Sequence, residues 1–265
     1  MNRNTLVIAG SGIKFMSHIT YETRNCIEKA DKVLYLINEP ALQEWIQGLN
    51  KNTESLDQIY TKYCARNDNY QAISEYIVNQ LDNINFLCAV FYGHPTVLVQ
   101  PAIYTAQAAE TKGHNVIVMP GISAEDCLFA DLLIDPSSCG CYSFEATDFL
   151  LYQREYESSS HLIIWQSGVI GIKNLVVKHN PEKGLGLFIR HLSKKYSLDH
   201  DVYIYEAAQY PTIKPRIEKT ALRNLATANI NRLTTLYIPP NCVKQINNDV
   251  CAELKVISEP DENNK

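Results

Sequence analysis

The sequence predicts an α/β protein built as two tandem α/β domains, with a binding site in the cleft between them. Three observations carry that prediction. Short apolar runs ending in glycine or proline alternate with longer amphipathic stretches along most of the 265 residues. One segment, "LIDPSSCGCYSF" (133–144), breaks the rhythm with Pro, Ser and Gly. The length suits one large domain or two ordinary ones. We therefore expect an N-terminal domain at 1–135, a C-terminal domain at 136–240, and a polar tail, frayed at its end, at 241–265.

In order, "TLVIAG" (5–10) is an apolar run ending in glycine, a buried strand. "HITYETRNCIEKA" (18–30) follows as a helix and "KVLYLI" (32–37) as a second strand. A helix over 70–81 leads into a strand at "NFLCAVFYG" (85–93). "PAIYTAQAAETKG" (101–113) opens with Pro101 at a helix start and closes with Gly113 as a C-cap. "NVIVMPG" (115–121) is a strand, and "ISAEDCLFADLL" is a helix with Ser123 as N-cap. The alternation implies a parallel sheet wrapped by helices. In the second half, "HLIIWQSG" (161–168), "DVYIYEAA" (201–208) and "LTTLYIPP" (233–240) read as strands. "GLGLFIRHLSKKY" (184–196) and "RIEKTALRNLATANI" (216–230) read as helices.

Composition narrows the function. A net charge of −5 argues against nucleic acid as the main partner. No apolar run approaches the roughly 18 residues of a membrane span, and a strand-like run begins at once, leaving no room for a signal peptide. The eight cysteines are dispersed without a CxxC. Reduced thiols in a cytoplasmic protein are expected, with neither disulfides nor a metal site. Sixteen tyrosines against seven phenylalanines suggest hydroxyls lining a wet or polar cavity.

In tandem α/β folds the ligand lies outside the carboxyl ends of strands, so four segments matter most. "AGSGI" (9–13) allows close approach of a backbone or ligand, but has Phe15 where a dinucleotide motif needs a third glycine. "FYGHPTVLVQP" (91–101) is a constrained loop with exposed backbone N–H groups; His94 taken alone reads as a structural histidine. "MPGISAEDCLFA" (119–130) sets Ser123 and Ala124 at the positive end of a helix, where a plain N-cap is the simpler account. "IIWQSG" (163–168) ends a buried strand with Gln166, whose amide needs a partner.

Together these segments resemble the tetrapyrrole methylase superfamily and, more narrowly, the borosin peptide backbone α-N-methyltransferases. The carrying residues are "TLVIAGSGI", "SHIT", "EKADKVLYL", "FYGHPTVLVQP", "MPGISAEDCLFADLLIDPSSCGC", "EATDFLL", "IIWQSG" and "TLYIPP", spanning roughly 5–240. Tetrapyrrole enzymes usually carry G-x-G-P-G at the first strand and an acidic residue in the later loop. Here Ile13 follows Gly12 and His94 stands in that loop, both closer to the peptide branch.

The resemblance implies S-adenosylmethionine (SAM) folded between the domains, touching Tyr92, His94, Val97, Ser123, Ala124, Gln166, Tyr205, Thr234 and Thr235. It implies catalytic roles for Tyr60, Arg66, Tyr70 and Tyr92. The chemistry is consistent with those residue types. An amide nitrogen is a poor nucleophile until it begins to lose its proton, and charge then builds on the carbonyl oxygen. A phenol of pKa ~10 is protonated at neutral pH, a guanidinium favours phenolate, and phenol hydroxyls can donate to the developing oxyanion. Two simpler accounts compete: Tyr70 shares a helical face with Ile73 and Ile77 as plain core, and Asp68 with Gln71 can form a capping box. A tetrapyrrole or other small-molecule methylase, and a non-catalytic SAM-binding protein, are the rival functions.

Borosin enzymes commonly carry their own substrate behind an extra C-terminal helical region. Here "KVISEPDENNK" follows soon after the last strand and is charged and polar. The expectation is a split system acting in trans on a separate precursor peptide, with Val256 and Ile257 as the alternative sites within the tail. By the same resemblance the enzyme is a homodimer, joining two precursor chains in a heterotetramer.

Overall fold

The computed structural model describes residues 4–172, 174, 181–241 and 247–258. The first half contains β1 (Thr5–Gly10), α1 (Tyr21–Lys29), β2 (Lys32–Leu36), α2 (Pro40–Leu49), β3 (Thr53–Ser55), α3 (Asp57–Tyr60), α4 (Arg66–Leu81), β4 (Phe86–Phe91), α5 (Gln100–Thr111) and β5 (Asn115–Val118). Then follow α6 (Ala124–Leu132), α7 (Pro136–Cys139), β6 (Cys141–Glu145), α8 (Ala146–Leu151), β7 (His161–Trp165), α9 (Glu182–Leu192), β8 (Asp201–Glu206), β9 (Arg216–Ala221), β10 (Thr235–Ile238) and α10 (Asn248–Ser258).

The first sheet has the order β3-β2-β4-β1-β5 and is parallel throughout. Alternate residues of its strands serve opposite faces. Leu6, Ile8, Leu34, Leu87, Ala89 and Phe91 pack with Ile73 and Ile77 of α4 and Ala102 of α5. Val7, Ala9, Val33, Tyr35, Cys88 and Val90 pack with Ile27 of α1 and Leu42 and Ile46 of α2. Burial on both faces is why these strands read as unbroken apolar runs. All five strands end at the same edge of the sheet, which gathers the segments after β1, β3, β4 and β5.

The second sheet has the order β6-β7-β10-β8-β9. Only β6 and β7 are parallel; the β7–β10, β10–β8 and β8–β9 pairs are antiparallel. One face buries Phe149, Leu185, Phe188 and Leu192 of α8 and α9. On the other, Leu128 of α6 meets Ile163, Trp165, Tyr205 and Tyr237. We propose the division 1–135, 136–240 and 241–265, with α6 as the part of the first unit that covers the second sheet.

The expected helix at 216–230 is the main correction. It is the edge strand β9 followed by a 3-10 helix at Leu222–Thr227. Glu, Lys, Ala and Leu suggested a helix, but the strand is held by cross-strand partners: Arg216 pairs with Glu206 at 2.6 Å and Lys219 with Asp201 at 2.7 Å. Smaller differences remain. The helix expected from Tyr70 begins at Arg66; α2, β3, α3, α7, β6 and α8 were not anticipated; and the tail contains α10, while its end at 259–265, where fraying is expected, lies outside the described residues.

Close backbone approach locks the sheet edge. A Cβ on Gly10 would lie 2.2 Å from the Gly93 oxygen, and one on Gly168 would lie 2.0 Å from the Asn231 oxygen. Backbone, not a movable side chain, is the obstacle at both positions. Gly10→Ala should therefore cost about 3 kcal/mol or more. Thermal unfolding should show a Tm drop of several degrees; an unchanged Tm would mean that the β1 and β4 ends can separate freely.

Candidate active site

The segment after β3 carries the tyrosine–arginine cluster. α3 is one turn ending at Tyr60, and α4 starts at Arg66 with Ala65 as its N-cap. The five residues between are fixed by Asn69, which is fully buried. Its Oδ1 accepts from the Tyr63 N–H at 2.7 Å, and its Nδ2 donates to the Tyr63 carbonyl at 2.8 Å. A polar residue on the buried face of a helix was the sequence signal for this brace. Tyr60 and Tyr70 stack with centroids 6.3 Å apart and planes inclined at 27°. Arg66 lies beside them, and its Nε is buried without a hydrogen-bond partner. Asp68 lies within the first turn and does not cap α4, and Tyr70 is only part-buried while Ile73 and Ile77 are fully buried.

The electrostatics correct one expectation. Arg66 does favour the Tyr70 phenolate, but burial first, and Tyr60 next, outweigh it, so the Tyr70 pKa lies above the ordinary phenol value. The resting cluster holds a protonated Tyr70, contrary to the phenolate at neutral pH that the guanidinium alone suggests.

Tyr92 follows β4, and its N–H donates to the Leu36 carbonyl at 3.2 Å. Its hydroxyl donates to the Ile13 carbonyl at 3.4 Å and accepts from Gln209 Nε2 at 3.5 Å. Burial raises its pKa, against a lowering by Gln209. Gly12 and Gly93 exchange N–H···O bonds of 3.1 Å, tying the loop after β1 to the loop after β4. The His94 Nδ1 accepts from the Thr96 N–H at 3.2 Å, which leaves the ring hydrogen on Nε2. The Val97 N–H donates to the His94 carbonyl at 3.2 Å.

Register brings the second sheet's candidates to one edge. Thr235 at the start of β10 pairs with Tyr205 near the end of β8, and Leu236 pairs with Ile164 near the end of β7. Gln166 stands one residue beyond β7 in a left-handed conformation, φ 56°. Three of the nine residues singled out as cofactor contacts already spend their hydroxyls on carboxylates. Ser123 donates to Asp126 within a complete capping box, Tyr205 to Asp131 and Thr234 to Glu206, each at 2.7 Å. The Tyr205 pKa is accordingly raised, by burial and then by Asp131. Ala124 opens α6.

The sequence did not reveal this acidic backing. Asp126, Asp131, Glu206 and Glu39 accept from the hydroxyls of Ser123, Tyr205, Thr234 and Tyr210 in turn. Of these four carboxylates, Glu206 alone has an ion-pair partner among the described residues, Arg216. The side-chain groups at these strand ends that suit the polar groups of a nucleoside-bearing cofactor are the His94 Nε2–H and the Gln166 amide. No group of metal-ligating side chains is found among the described residues.

Residues 5–226 match the family described as Tetrapyrrole (Corrin/Porphyrin) Methylases. The chain belongs to that family. Two solved structures share the methylase fold at low identity. The uroporphyrin-III-C-methyltransferase of Thermus thermophilus superposes with TM-score 0.64 at 13% identity, covering 90% of this chain and 93% of that one. Diphthine synthase gives 0.64 at 12%, covering 91% and 92%. In sequence, this chain is 38% identical to the methyltransferase/ribosomally synthesized cyclic peptide gymnopeptides precursor of Gymnopus fusipes, over 96% of the chain and 61% of that protein. It is 35% identical to the corresponding omphalotin A precursor of Omphalotus olearius, over 96% and 62%. With the type III borosin cyclic peptide precursor of Anomoporia bombycina it shares 34%, over 94% and 29%. The chain thus spans about 61% of the length of the first of these relatives, whose names join a methyltransferase to a peptide precursor.

Proposed function

We propose that this protein is a SAM-dependent α-N-methyltransferase that methylates backbone amides of a ribosomally made precursor peptide, as in borosin biosynthesis. The observation that carries it is the Arg66 Nε, buried and unpartnered beside the stacked Tyr60–Tyr70 pair. Such a donor suits an acceptor that arrives with the substrate. The relatives named as fused methyltransferase and peptide precursors support the same class of substrate.

In this scheme SAM lies between the sheets, held by the His94 ring, the Gln166 amide and main-chain groups of Tyr92, Val97, Ser123, Ala124, Tyr205, Thr234 and Thr235. When bound it supplies an electrophilic methyl group on sulfur. Tyr70, in its small phenolate fraction, takes the amide proton. Arg66 and the Tyr60 and Tyr92 hydroxyls face the carbonyl oxygen on which negative charge develops. Holding the amide in line with the methyl group supplies the rest.

The peptide is presented by a separate chain, and the site prefers an extended backbone because its amide N–H groups are not tied up. Val256 and Ile257, the alternative targets, fall within α10, where a helical backbone commits those groups. The oligomer is a homodimer joining two precursor chains. Ile117 and Val118 of the edge strand β5, 42% and 41% exposed, offer apolar surface to a second copy. None of the described helices is long and apolar enough to cross a membrane.

Incubation with SAM and apolar peptides, read by mass spectrometry, tests this reading: mass gains in methyl steps on backbone nitrogens are expected. SAM binding without gain on any peptide would point to a small-molecule methylase. For the separate chain, the intact mass of the enzyme expressed alone decides. It should be unmodified, and methyl groups on residues 241–265 would refute action in trans.

A further inference from the structure

Two consecutive residues after β8 reach across the cleft to three strand ends of the first sheet. The Gln209 carbonyl accepts from the Phe15 N–H at 2.7 Å, in the loop after β1. The Tyr210 hydroxyl donates to Glu39 between β2 and α2, and its ring lies 5.9 Å from that of Phe15. The Gln209 side chain donates to the Tyr92 hydroxyl oxygen after β4. Glu39 is 6% exposed, and its carboxylate also accepts the Leu42 N–H at 2.6 Å and the Ala41 N–H at 3.3 Å. A buried carboxylate capping a helix is a firm anchor, so Tyr210 is pinned. Gln209, one residue earlier and tied through its own carbonyl, is pinned with it.

We propose that Gln209 is a positioning residue that makes Tyr92 a hydrogen-bond donor to the substrate carbonyl. A phenol oxygen has one proton to give and lone pairs to receive. Gln209 donates into the oxygen, and the proton then points to the Ile13 carbonyl. Both contacts are long, 3.4 Å to Ile13 and 3.5 Å from Gln209, but Gln209 is held by its backbone while the Ile13 carbonyl is readily exchanged for a better acceptor. Donation into the oxygen polarises the O–H and strengthens it as a donor. With its proton directed outward in this way, Tyr92 serves the oxyanion, and Tyr70 remains the proton acceptor of the proposed reaction. The inference rests on the proposed methyl transfer only for its kinetic consequence.

The test has two arms. In protein carrying 13Cζ-labelled tyrosine, the Tyr92 resonance is identified by its loss in Tyr92→Phe. Gln209→Leu should move its titration to higher pH. The one contact favouring phenolate is gone, while burial, Cys127 of α6 and Glu39 at the β2–α2 junction still oppose it. This arm needs no methyl transfer, so it stands even if the proposed reaction fails. In the kinetic arm, Gln209→Leu should lower kcat about five- to tenfold, the loss expected for one hydrogen bond, with peptide KM nearly unchanged. Gln209→Glu should not rescue it, because a carboxylate has no N–H to give. Tyr210→Phe should show a smaller loss. In a Tyr92→Phe background Gln209→Leu should have no further effect. A Tyr92 titration unmoved by Gln209→Leu would overturn the proposal. So would an equal rate loss with and without the Tyr92 hydroxyl.

Discussion

Tyr70→Phe is expected to lower the methylation rate about a hundredfold or more, the usual worth of a positioned acid–base group. The pH profile carries more information than the loss itself. Burial and Tyr60 hold the Tyr70 pKa above its ordinary value of 10.0. Below that pKa the phenolate fraction grows tenfold with each pH unit. If phenolate takes the amide proton, the wild-type rate should rise through neutrality with unit slope for as long as Tyr70 stays protonated in the complex. If Tyr70 only donates, the rate is flat across that range and falls when the phenol ionises. The slope should vanish in Tyr70→Phe. Single-turnover rates with saturating peptide, which isolate the chemical step, decide it; a flat wild-type profile between pH 7 and 9 would remove Tyr70 as base.

The central strands β1, β2 and β4 were legible because they are buried on both faces, so each is an apolar run such as Leu6–Ala9 or Leu87–Phe91, whereas the short polar edge strand β3 was not. The Ser123 cap was equally readable, since a helix N-cap is local chemistry within four residues, Ser123 to Asp126. β9 was not, because an edge strand wet on one side can be written in helix-forming residues and held by partners from β8. The site divides along the same line. Strand-end segments revealed themselves by their glycines and prolines. The braces did not: the Tyr210–Glu39 bond joins positions 171 residues apart, and neither residue carries a local signature. Nor does sequence spacing weigh a guanidinium against desolvation, which is why the sign of the Tyr70 shift required coordinates.

Arg66→Ala should separate stability from activity. Arg66 opens α4, so its cation sits at the helix end that repels positive charge. Its Nε is a buried donor with no partner, which costs folding free energy. Alanine removes both penalties and favours the helix. The variant should therefore fold with a Tm equal to or above that of the wild type. The same deletion strips the developing carbonyl charge of its strongest donor, a loss of about a hundred- to a thousandfold in rate. Arg66→Lys should recover little, since an ammonium lacks the planar guanidinium's Nε–H. Stability sacrificed at one residue for function is the signature of a group held ready for a ligand. Calorimetry on the two proteins, beside methylation rates with one peptide, gives the answer. A near-normal rate would dismiss Arg66 from the reaction, and a fall in Tm of several degrees would make it a structural residue.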